Sequence, residues 1–70
     1  MRYKIGDVVE YHKQPNIQHI ISQETLRNDG TFEYATHLIA WLTSKELKLV
    51  KKASKESINK LLTYMDEDNE

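Results

Sequence analysis

No cysteine occurs among the 70 residues. That excludes disulfide staples and thiolate metal centres, so the fold must be held by apolar packing or by a partner subunit. With only two glycines there is no phosphate-cradling glycine loop, and no Gly-x-Ser-x-Gly nucleophile elbow is present. No apolar run approaches membrane-spanning length. Charges interrupt the amino-terminal segment MRYKIGDVVEYHK where a signal peptide would need its apolar stretch, so the expected location is the cytoplasm, with no membrane association. Excess charge is also missing: ten Lys+Arg against eleven Asp+Glu give a formal charge of -1, so no global positive field draws the chain to a phosphate backbone. A chain this short buries only about 60% of its unfolded surface and makes one domain with a thin stability margin. Such a domain lacks the depth to bury and tune a catalytic carboxylate, so the expectation is a non-enzymatic binding domain without a cofactor.

What is present reads mainly as strand. Tyr3 to His12 alternates imperfectly, with Ile5, Asp7, Val9 and Tyr11 on one parity and Val8 breaking it; Lys13-Gln14-Pro15-Asn16 then reads as the first loop. Ile17 to Leu26 is rich in β-branched residues and runs into Asn28-Asp29-Gly30-Thr31, a hairpin signal in which Gly30 supplies the positive φ of a tight turn. Thr31 to Tyr34 resumes the alternation. Ala35 to Val50 satisfies helical and strand spacing alike. Its Thr36, Ile39, Trp41 and Thr43 favour strand, with Thr43 to Leu47 as one short helical turn before a last strand at Lys48 to Val50. Beyond it, Ser54 as N-cap, Glu56 near the positive end of the helix dipole, and Ile58, Leu61, Leu62 and Met65 on one stripe predict an amphipathic helix over residues 52–65, its turns running from Lys55 to Met65. Residues 66–70 form an acidic tail expected to be disordered.

The segment Tyr3-Lys4-Ile5-Gly6-Asp7-Val8-Val9-Glu10-Tyr11 resembles the opening strand of bacterial and phage SH3-like small barrels, which often begin with an apolar-Gly-Asp-x-Val pattern. Ala40 to Val50 is similar to the strand, short helical turn and closing strand of the same fold. The resemblance covers about fifty residues and implies a five-stranded SH3-like barrel over residues 1–51, mainly β, followed by one C-terminal α-helix. In style it also implies a small phage or mobile-element accessory protein that modulates a larger host complex. The paired tryptophans that line a polyproline groove in eukaryotic SH3 domains have no counterpart here.

Function is then expected to lie in a binding surface. Phe32 and Trp41 read as barrel filling, because so small a domain needs its largest side chains inside. Tyrosine tolerates half-burial, so Tyr3, Tyr11 and Tyr34 are candidates for an exposed protein contact, joined by Ile58 and Leu62 of the helix. The helix stripe either folds back on the barrel, over Val8 or Ile21, or pairs with another copy or a partner protein, which makes a homodimer through this helix one expectation. A nucleic-acid alternative rests on Lys45, Lys48, Lys51 and Lys52 with Trp41, combining phosphate contacts and base stacking. His12, His19 and His37 show no local metal-ligand spacing and read as surface or strand-end histidines.

Overall fold

The computed structural model describes residues 2–67. Its elements are β1 (Val8–Tyr11), β2 (Gln14–Leu26), β3 (Phe32–Thr36), β4 (Leu42–Thr43), a one-turn 3₁₀ helix (Ser44–Glu46), β5 (Leu47–Lys51) and α1 (Lys55–Glu67). All strand pairs are antiparallel, in the order β4-β3-β2-β1-β5. The result is a mainly β chain whose five strands curl into a half-barrel, with one C-terminal helix.

The curl originates in β2. Its first half pairs with β1 (Val8 opposite Ile20, Glu10 opposite Gln18) and its second with β3 (Ile21 opposite Thr36, Leu26 opposite Phe32), with a register shift between Ile21 and Gln23. A bulge there bends and twists the strand, letting one strand serve both halves of the sheet. The expected first loop is correspondingly smaller. The turn falls at His12-Lys13, and Pro15 and Asn16 belong to β2. Pro15 is tolerated because Glu10 pairs with Gln18 while Tyr11 pairs with Gln14, so the missing N–H falls in a stretch of broken register. At the other end, Tyr3 to Asp7 lies ahead of β1 rather than within it.

The hairpin forms where Asp-Gly predicts it. Gly30 has φ +86°, Arg27 N–H donates to the Thr31 carbonyl at 2.7 Å, and the Asp29 carboxylate accepts from the Thr31 amide and hydroxyl. These two bonds hold that carboxyl below its usual range. The ambiguous segment is strand and loop, not α-helix: β3, a connection through Trp41, two residues of β4, then the 3₁₀ turn. Glu46 closes that turn by accepting from both the Thr43 amide and its hydroxyl at 3.1 Å.

Inside the half-barrel sit Tyr3, Val9, Tyr11, Ile21, Tyr34, Leu42 and Leu47. The tyrosines are therefore core, contrary to the expected contact surface: Tyr3 is 3%, Tyr11 7% and Tyr34 0% exposed. For Tyr3 and Tyr34, burial is tolerated because the phenols are paired. Tyr34 Oη accepts from the Tyr3 amide, and Tyr3 Oη donates to the Leu47 carbonyl, both at 3.0 Å. The two rings meet edge to face at 5.3 Å. Burial pushes the Tyr3 phenol up from its ordinary pKa. The expected filling moves outward instead. Trp41 is 45% exposed, and Phe32 is half-buried at the core margin beneath the Arg2 guanidinium, 4.5 Å from its ring centre.

His19, expected at a surface or strand end, is fully buried. Its Nδ1 lies 2.8 Å from Thr36 Oγ1 and its Nε2 2.9 Å from Gln14 Oε1, an arrangement that suits the neutral ring with the proton on Nε2. No cluster of metal-ligating side chains occurs among the described residues, and no helix among them is long and apolar enough to cross a membrane.

Candidate interaction surface

The helix is positioned by Gly6 and Asp7. Gly6 adopts φ +95°, and a Cβ there would stand 2.8 Å from Ile58 Cγ1 and 3.1 Å from Ala53 Cβ, so the glycine is the floor on which the helix start rests. Asp7 bridges two segments. One carboxylate oxygen accepts from the Lys4 amide at 2.9 Å; the other accepts from the Ala53 amide at 2.8 Å, 46 residues along the chain. Ser54 then caps the helix: its hydroxyl accepts from the Ser57 amide, Ser57 Oγ accepts from the Ser54 amide, and Ile58 N–H makes the first helical bond to the Ser54 carbonyl. The helix runs to Glu67, past the expected end at Met65, so Asp66 and Glu67 of the expected tail are helical; residues 68–70 lie outside the described residues.

Docking uses one side of the stripe. Leu61 packs on Val8 and Ile20 in a second cluster. Val8 therefore breaks strand parity because it faces the helix; Ile21, the other expected landing point, belongs to the main core and Ile20 takes its place. Tyr64 stacks on His37 at 4.5 Å with rings 12° apart. His37 is held in turn by the Ile20 amide, which donates to its Nδ1 at 3.2 Å. Burial lowers the pKa of both His37 and His19, and for His19 the neighbouring His37 adds to the effect. Between helix and sheet runs a groove of about 300 Å³ walled by Val8, His37, Lys51, Lys60 and Tyr64.

The rest of the stripe faces outward. Ile58 is 41%, Leu62 53% and Met65 44% exposed; positions i, i+4 and i+7 share one side of a helix. Of the candidates named from sequence, Ile58 and Leu62 thus converge on one face, and the three tyrosines do not join them. Met65 completes the row, and the helical period already points to it.

The basic candidates are dispersed. Lys45 sits in the 3₁₀ turn, Lys48 and Lys51 on β5, and Lys52 just beyond; all are exposed, and none makes an ion pair among the described residues. Trp41 lies ahead of β4, and β4 and β5 are opposite edges of the sheet. No protein-family model, curated protein or solved structure matches this chain.

Proposed function

We propose that this domain is a cytoplasmic, non-enzymatic protein-interaction module whose binding face is the outer side of α1. One observation carries the reading: α1 packs Leu61 on the sheet and leaves Ile58, Leu62 and Met65 partly exposed along one side. Fully burying such a side chain is worth about 1.5–3 kcal/mol and covering its remaining exposed part roughly half of that, so a contiguous row of three on a docked helix is a preformed hydrophobic contact. The strand order and the helical turn between the last two strands support reading the half-barrel as SH3-like. The phage-type accessory role, acting on a larger host complex, rests on the opening-strand resemblance.

An affinity pull-down with the tagged chain from its native cells, with and without nuclease, tests this proposal when paired with Leu62→Glu. A stoichiometric protein that survives nuclease and is lost with Leu62→Glu is expected. A partner retained by that variant would move the binding face elsewhere.

A second reading, nucleic-acid binding, draws support from Lys45, Lys48, Lys51 and Lys52, which make no ion pair among the described residues, and from the exposed Trp41. Phosphate-driven binding must weaken steeply as salt rises. Lys51→Glu with Lys52→Glu should then abolish oligonucleotide binding, and no binding by the native chain at low salt ends this reading.

A further inference from the structure

Resting on the reading of the outer α1 face as a binding face, we infer that its occupant is the same face of a second copy of this chain, with the two helices antiparallel. The row is nearly symmetric about Leu62, with Ile58 four residues before it and Met65 three after. An antiparallel pair centred beside Leu62 sets Ile58 of each copy opposite Met65 of the other and brings the two Leu62 side chains together near the two-fold axis, so one row covers itself.

The charges are self-complementary in the same sense. Lys51, Lys52 and Lys55 precede and open α1, whereas Asp66 lies in its last turn and the sequence around it is acidic. Within one copy this distribution is unfavourable, because lysines sit at the positive end of the helix dipole and acids at the negative end. Glu56 offsets it only in part, since its carboxylate lies 3.6 Å from Lys60. A helix rises 1.5 Å per residue, so Lys55 and Asp66 are about 16 Å apart along the axis and too distant to pair within one copy, beyond a Debye length of about 8 Å. Antiparallel association removes the conflict at both ends at once: each acidic end meets the other copy's lysines and the positive end of its dipole. A parallel pair would set lysine on lysine and acid on acid. A foreign partner would have to bring the same row and the same reversed polarity.

The row spans only about two turns, so the interface belongs to the small class, below about 1,200 Å², and association is expected within roughly 10 µM to 1 mM. Sedimentation equilibrium of the full chain over that range tests it, with far-ultraviolet circular dichroism confirming that each variant is folded. The native chain should dimerise, and Leu62→Glu should be monomeric throughout. Lys55→Glu and Asp66→Lys should each weaken the dimer by roughly tenfold, and one chain carrying both should recover it, because two-fold antiparallel pairing restores opposite charges at each end. A dimer that persists in Leu62→Glu, or a doubly reversed chain no stronger than the single variants, overturns the inference. So does a native chain that stays monomeric to about 1 mM. In that event, a foreign protein captured by the native chain and lost with Leu62→Glu leaves the binding-face reading standing, while unchanged capture removes that too.

Discussion

The Asp7 carboxylate accepts a hydrogen bond from the Ala53 amide at 2.8 Å while its other oxygen holds the Lys4 amide. This buried side chain thereby ties the turn ahead of β1 to the segment that launches α1. Asp7→Ala leaves two amides without their acceptor. The expected loss is about 0.5–1.5 kcal/mol for each hydrogen bond lost, read as a lower urea midpoint, with the α1 amides losing hydrogen-exchange protection before those of β2.

Gly6 and Gly30 both have positive φ, but only Gly6 has a neighbour where a Cβ would go. Gly30→Ala should cost about 1 kcal/mol, the conformational penalty alone. Gly6→Ala should cost more, and Ile58→Ala in the same chain should recover part of the excess. Equal losses at the two glycines would show that Ile58 does not press on Gly6.

Tyr3 and Tyr34 act as buried polar links. Tyr34→Phe deprives the Tyr3 amide of its acceptor, and Tyr3→Phe deprives the Leu47 carbonyl of its donor. Each should destabilise by about 1–3 kcal/mol in chemical denaturation. Because both phenols are buried, neither change should alter binding by the α1 face at temperatures where the chain is folded.

His19 and His37 are both held below the ordinary histidine pKa of 6.5, chiefly by burial. The unfolded chain therefore takes up protons that the folded chain refuses, and stability must fall as pH drops below about 6.5, by up to about 1.4 kcal/mol per pH unit for a proton taken up only on unfolding. Protonation of His37 at Nδ1 would also remove the lone pair that accepts the Ile20 amide, loosening the platform under Tyr64. Urea midpoints at pH 7.5 and 5.5 should differ in that direction, and replacing both histidines by Gln should flatten the difference. The lowered carboxyls of Glu24 and Glu46 act in a separate window: their stabilisation is present above their ordinary value of 4.5 and is lost below it.

Local chemistry alone specifies much of this molecule. Asp29-Gly30 makes its hairpin because only glycine enters the positive-φ region freely, Ser54 caps α1 because a hydroxyl there reaches the first-turn amides, and β-branched residues keep β2 extended. Each of these effects acts within a few residues and so leaves a readable pattern. Helical period likewise places Ile58 and Leu62 on one stripe. Which part of that stripe is covered is decided across the fold, where Val8 and Ile20 form a landing site one leucine wide and Gly6 admits Ile58. The same holds for the tyrosines. An amphipathic side chain suits either surface or core, and the choice falls to whichever place offers its hydroxyl a partner; here the Tyr3 amide and the Leu47 carbonyl, 31 and 44 residues from the phenols they meet, supply one inside. His19 and Asp7 became interior groups for the same reason: their partners Thr36 and Ala53 are brought to them only when the sheet curls and the helix docks.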